Sequence, residues 1–161
     1  MKLAGWLMLL SLLAAGSAFA ADNTPRHEYA SFHSDKVNMR TGPGFRYPVE
    51  WVYQRRSMPV RIIERFDTWR KIRDWQGTEG WVHHSMITSD RNKRTMIVTG
   101  SNRTIHQRPG AGSLTVAVAE PGVIGRIVSC RANWCRVSIQ NFEGWMRRSH
   151  FWGTAANEDF D

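Results

Sequence analysis

Val37 to Gly44 reads VNMRTGPG, and Arg103 to Gly110 reads RTIHQRPG. These are one opening phrase written twice. Each is followed by a second shared motif, Trp69-Arg70-Lys71-Ile72 in one copy and Trp134-Cys135-Arg136-Val137 in the other. A third follows, Glu79-Gly80-Trp81 and Glu143-Gly144-Trp145. The copies are offset by 66 residues from Pro43 to Pro109, by 65 from Trp69 to Trp134 and by 64 from Gly80 to Gly144. A register that drifts only by single-residue trims marks a tandem repeat of one small unit, with the trims falling in loops.

Between the motifs the chain carries strand signals. Val49 to Tyr53 and Pro59 to Ile63 are short runs of β-branched and aromatic residues, parted by the polar turn Gln54-Arg55-Arg56-Ser57. Trp69 to Asp74 and Glu79 to His83 complete the first copy, with Ser85-Met86-Ile87 closing it as a single helical turn. The second copy repeats the layout through Thr115 to Ala119, Val123 to Cys130, Trp134 to Ile139 and Glu143 to Arg147. About five short strands with tight turns in each copy predict an all-β chain of two small barrels. A barrel this small is marginal alone, so the two are expected to pack together across the polar segment Thr88 to Thr95.

Alternation within a strand sets which side chains face out. Period two puts Trp69 on the face opposite Ile72, and Trp134 opposite Val137. If Ile72 is core, Trp69 is either displayed or packed under a loop. Trp81 and Trp145, each after a glycine, are expected in the core or between strands. Trp51 and Tyr53 share a face, as do Tyr47 and Trp75 if the turn brings them together.

The start of the chain reads differently. Lys2, an apolar run from Leu3 to Ala15 and the small pair Ala18/Ala20 form a secretory leader, too short for a membrane span. Cleavage is expected between Ala20 and Ala21. No later stretch is apolar enough to cross a bilayer, so a periplasmic or secreted location is expected. In that setting two cysteines imply a disulfide. Cys130 and Cys135 flank a hairpin loop and are expected to pair. Their aligned positions in copy one are Arg65 and Arg70, which places the bridge at a wet sheet rim. The formal net charge of +8 draws acidic partners or simply keeps the chain soluble. Export directs it to envelope anions and away from nucleic acid.

These residues resemble the bacterial SH3-like domain family in its tandem, exported form. The resemblance rests on Asn38 to Gly44 (NMRTGPG), Tyr47-Pro48-Val49 with Trp51-Val52-Tyr53, Trp69 to Asp74 (WRKIRD) and Gly80 to His83 (GWVH). In copy two it rests on Trp134 to Val137, Gly144 to Arg148 and Trp152-Gly153. With residues 1–20 as the signal peptide read above, the division is 21–34 as lead-in, 35–88 and 96–153 as two barrels, and 154–161 as a flexible tail. Copy two departs at its opening, where His106, Gln107 and Arg108 break the loop pattern. Modules of this family resemble targeting units for peptidoglycan.

Enzyme motifs are missing. His27-Glu28-Tyr29-Ala30-Ser31 begins like a zincin helix, but Ser31 stands where the second His is needed. There is no G-x-S-x-G or S-x-x-K. His83 and His84, adjacent on a strand, should project to opposite faces, so no metal site or cofactor is expected. The chain thus reads as a non-enzymatic binder of peptidoglycan or a wall-associated protein. The other reading is an adaptor for an envelope enzyme or assembly, without glycan contact. The candidate ligand surface is Trp69 with Arg70 and Lys71, joined by Tyr47 and Trp75: flat rings beside cations suit a carboxylated sugar or a proline-rich peptide. A hydrophobic seam between the barrels is the alternative use of these rings.

Overall fold

The computed structural model describes residues 28–156 and 158. The expected leader and its cleavage point at Ala20 and Ala21 lie outside the described residues.

Two antiparallel sheets of seven strands each wrap around their own core, as two SH3-like barrels in tandem. The first holds β1 (Glu28–Phe32), β2 (Val37–Arg40), β3 (Val49–Tyr53), β4 (Pro59–Phe66), β5 (Trp69–Arg73), β6 (Glu79–His83) and β7 (Ile87–Thr88). The second holds β8 (Thr95–Val98), β9 (Arg103–His106), β10 (Thr115–Ala119), β11 (Ile124–Arg131), β12 (Trp134–Ile139), β13 (Phe142–Arg147) and β14 (Phe151–Trp152). Strand order is β3-β2-β6-β5-β4-β1-β7 in one and β10-β9-β13-β12-β11-β8-β14 in the other. The sequence repeat is therefore a topological repeat, strand for strand.

The repeated glycine of the Glu-Gly-Trp motif has a steric reason. A Cβ on Gly80 would sit 2.5 Å from Met39 Cγ, and one on Gly144 would sit 2.6 Å from the His106 carbonyl oxygen. The backbone of β6 or β13 passes too close to β2 or β9 for any side chain there.

The first barrel starts earlier than the lead-in boundary at 34 implied. β1 pairs with β4 from Glu28↔Ile62 to Ser31↔Pro59 and gives Ala30 and Phe32 to the core. Its other face is covered too. Tyr29 meets Trp152 edge-on at 5.0 Å, and Ser31 Oγ lies 2.7 Å from Thr95 Oγ1. A strand buried on both faces loses the polar-apolar alternation that flags strands in a sequence.

The barrels are joined by these contacts and by others. Thr95 Oγ1 donates to the Ser57 carbonyl at 2.6 Å, Arg55 Nη2 donates to the Gly122 carbonyl at 2.6 Å, and Ile124 packs on the first core. The aromatic seam between barrels is thus Tyr29 with Trp152.

Part of the expected flexible tail is anchored. Glu158 takes both carboxylate oxygens to Arg94 Nη1, each at 3.1 Å, while Arg148 Nη1 donates at 2.8 Å to the Ala155 and Glu158 carbonyls. Burial depresses the Arg94 pKa, and the neighbouring Glu158 carboxylate opposes that shift. Buried guanidinium groups such as those of Arg94 and Arg148 require such partners.

Cys130 and Cys135 form a disulfide across a directly paired position of β11 and β12. The wet rim expected for it is wrong: the two residues are 1% and 0% exposed, inside the second core. Cys135, Val137 and Ile139 alternate onto the core face. At the aligned position Arg70 extends outward instead, its Nη1 donating to the Asp67 and Trp69 carbonyls at 2.8 Å. A long cation can leave a core edge that a small cystine cannot.

Candidate functional site

A hollow on the first barrel lies over β5 and β6, on the face opposite the core. Cross-strand pairing sets Trp69 beside His83, so both rings share the outer face. The loop after β2 then folds over them. Phe45 meets Trp69 edge-on with centroids 5.1 Å apart and lies 5.8 Å from the His83 ring; Trp69 and His83 are 5.5 Å apart. Arg40 ties this loop down: its Nη1 donates to the Tyr47 carbonyl at 2.7 Å and the Phe45 carbonyl at 3.2 Å, with the guanidinium 5.6 Å from the Phe45 ring centre. Gly42 is needed where it stands, because a Cβ there would come within 2.5 Å of the Tyr47 ring.

The result is a groove of about 500 Å³, walled by Phe45, Trp69, His83 and Met86 and rimmed by Lys36, Asn38, Arg40 and Ser85. Aromatic walls with cations and small polar groups at the lip form a surface that grips a flat apolar face and steers an anionic end.

Trp69 is not displayed. It is 6% exposed, packed beneath Phe45, which is itself 73% exposed. Of the two placements its alternation allowed, the loop-covered one holds. Trp69 floors the groove while Phe45 presents the accessible ring. The other expected residues point elsewhere. Arg70 is spent on the turn carbonyls, and Lys71 Nζ sits 3.7 Å from Glu79 Oε2. Arg73 also binds Glu79, and its hydrogen bond is the main reason that carboxyl titrates below its ordinary range. Tyr47 packs on Gly42 and Gly44, with Arg46 stacked 5.1 Å from its ring centre. Trp75 is half-buried near the β5–β6 turn, and among the described residues no ring contact joins it to Tyr47.

His83 and His84 depart from strand geometry. The chain leaves β6 for a single 3₁₀ turn at His84–Met86, so the two rings meet at 4.7 Å instead of facing apart. Phe45, Arg40 and His83 were missed by the sequence reading. A signal was present: Phe45 directly follows the intact Thr41-Gly42-Pro43-Gly44 loop, and the aligned residue of copy two is Ala111.

Past the other end of β5 a buried polar node braces the first barrel. Tyr53 donates to Asp74 Oδ2 at 3.0 Å, and Asp74 Oδ1 accepts from the Gln76 and Thr78 amides at 2.9 and 2.8 Å. Burial, then the Asp74 charge and hydrogen bond, push the Tyr53 hydroxyl well above its ordinary pKa.

Among known proteins, a Bacillus subtilis protein provisionally named an N-acetylmuramoyl-L-alanine amidase, YrvJ, is 22% identical over 121 residues. The match takes in 70% of this chain and 23% of that protein, so the chain spans about a quarter of its relative's length. Two solved structures align loosely. NlpC2 from Trichomonas vaginalis does so at 9% identity and a TM-score of 0.36, over 86% of this chain and 52% of that one. An NlpC/P60 family protein from Bacillus cereus does so at 13% identity and 0.35, over 82% and 58%. The bacterial SH3 domain pattern, by contrast, matches at residues 33–88 and again at 100–153, and the chain belongs to that family, carrying two copies of its domain.

Proposed function

We propose that the protein is a non-enzymatic binding module of the bacterial envelope, periplasmic or secreted, that holds peptidoglycan through the groove of its first barrel. The observation that carries this reading is the Phe45–Trp69–His83 groove with Arg40 and Lys36 at its lip. Stacking aromatics match a sugar or peptide face, and the cations match the carboxylates of a wall polymer. Family membership and the likeness to a protein named as a wall amidase support the same reading. Purified sacculi mixed with the protein at low and high salt test it. Wild type should pellet with sacculi in both, because stacking survives salt that screens charge-only adsorption. Phe45→Ala should melt like wild type yet stay in the supernatant. Failure of wild type to pellet, or pelleting of Phe45→Ala as well as wild type, overturns the reading.

The adaptor reading has its own support. The edge strands β3 and β10 expose Val49, Trp51 and Val52, and Val116 and Val118. Unpaired strand edges with apolar side chains accept an added strand from a partner protein. Trp51→Lys with Val118→Lys should abolish capture of such a partner and leave sacculus binding intact.

A further inference from the structure

The junction of the two barrels contains a cleft that shares no residue with the Trp69 groove. It encloses about 370 Å³, near the lower end of small-molecule sites. Arg56 enters from the first barrel, Lys93 from the 3₁₀ turn Arg91–Lys93 of the connection, and Arg126 from β11 of the second. Among the described residues no Asp or Glu lines the cleft. Two carboxylates stand at its margin: Asp35 lies 3.7 Å from Arg56 and Asp90 lies 3.9 Å from Lys93, in pairs that are largely exposed. Such pairs are weak, and they offset the three cations only in part. Arg126 makes no ion pair among the described residues.

The floor is fixed. Thr95 Oγ1 gives its proton to the Ser57 carbonyl at 2.6 Å, which leaves Ser31 Oγ to donate to Thr95 Oγ1 at 2.7 Å while accepting from the Thr95 amide at 3.1 Å. Both hydroxyl protons are thereby used within the junction. Neutral donors facing a guest come from the side chains of Ser57, Thr88, Asn92 and Ser138, beside the cations. Half-buried Ile124 supplies a small apolar patch beside them, while Phe32, 1% exposed, belongs to the first core.

We infer that this inter-barrel cleft is a binding site for a sugar phosphate. Three cations from three separate segments over-match a single carboxylate. They suit a phosphate monoester, which carries close to two negative charges and three acceptor oxygens for guanidinium forks. The neutral donors and the apolar patch suit the hydroxyls and the ring face of an attached sugar. A guest here touches both barrels and therefore strengthens their docking.

Titration calorimetry on the full chain at low salt is the test, with glucose 1-phosphate as the probe. Inorganic phosphate, glucose and glucuronate serve as comparisons. Glucose 1-phosphate should bind and raise the melting temperature, with glucose giving no heat. Arg126→Gln and Lys93→Gln should each weaken binding about tenfold while melting normally without ligand, as expected for loss of one charge-assisted bond. Arg131→Gln, the same charge change on the far hairpin, should leave affinity unchanged, and so should Phe45→Ala. Glucuronate binding as tightly as glucose 1-phosphate overturns the phosphate assignment. Inorganic phosphate binding as tightly overturns the sugar. Equal weakening by Arg131→Gln shows a response to net charge alone and overturns the site.

Discussion

The two barrels share topology, strand order and a tryptophan at the same point of the same hairpin, yet they finish that point differently. In the first, Trp69 lies under Phe45 beside His83, and the outer face becomes an aromatic groove. In the second, Trp134 is half-buried, with the Arg147 guanidinium 5.2 Å from its ring centre and His106 edge-on at 5.5 Å. Arg147 is the cross-strand partner of Trp134, as His83 is of Trp69. Two substitutions in the repeat, Phe45 against Ala111 and His83 against Arg147, exchange an apolar lid for a cationic one. The lesson is that a duplicated scaffold keeps its hairpins and varies its recognition through loop residues and cross-strand neighbours.

The inner side of that hairpin also diverges. The second barrel closes it with the buried Cys130–Cys135 bridge, the first with Arg70 bound to the turn carbonyls. The largest test of the comparison is Trp69→Ala against Trp134→Ala. Removing the buried ring should cost about 3–5 kcal/mol of the first barrel's stability, and the half-buried ring clearly less, in denaturant unfolding followed by circular dichroism. Equal losses would mean that Phe45 does not seal Trp69.

Next in size is the double change Cys130→Ser with Cys135→Ser. It should destabilise by about 2–4 kcal/mol, because the bridge is lost and two hydroxyls enter an apolar core. Hydrogen exchange should show the loss confined to the second barrel, since the first relies on Arg70 at this place.

Tyr53→Phe probes the first barrel alone and should cost about 1–3 kcal/mol by leaving buried Asp74 short of a donor. The same tyrosine gives a pH dependence. Its proton is held more tightly in the fold than in the unfolded chain. Stability from this group is therefore complete below the ordinary tyrosine value of about 10 and falls as pH rises beyond it toward the folded value. Tyr53→Phe should remove that alkaline loss, as read from melting between about pH 9 and about pH 11.

The smallest expected effect lies in the hairpin turns. Asp67 and Ala132 hold equivalent positions with φ of 46° and 49°. Aspartate tolerates the left-handed region better than alanine does. Ala132→Gly should therefore stabilise by up to about 1 kcal/mol, and Asp67→Gly by less.

Much of this was legible in the sequence. The repeat, the all-β class and the strands Val49–Tyr53, Glu79–His83 and Trp134–Ile139 could be read because short-range alternation and turn residues specify them. β1 escaped because Glu28–Phe32 is covered on both sides, by its own barrel and by the neighbour. At the groove, alternation correctly put Trp69 on the face opposite Ile72, but Arg70 and Lys71 were expected beside it and lie elsewhere. Where a long cation ends depends on which carbonyl or carboxylate is within reach, and spacing along a strand does not encode that.

The sequence by itself determined the doubled unit and the pairing of Cys130 with Cys135, since one is a repeated pattern and the other joins residues close in the chain. Only the tertiary structure decided that Phe45 covers Trp69, that Glu158 returns to Arg94, and that Arg56, Lys93 and Arg126 converge on one cleft. These contacts join segments distant in the chain. Their geometry is set by the fold of a loop over a sheet and by the docking of one barrel on the other, which no local pattern records.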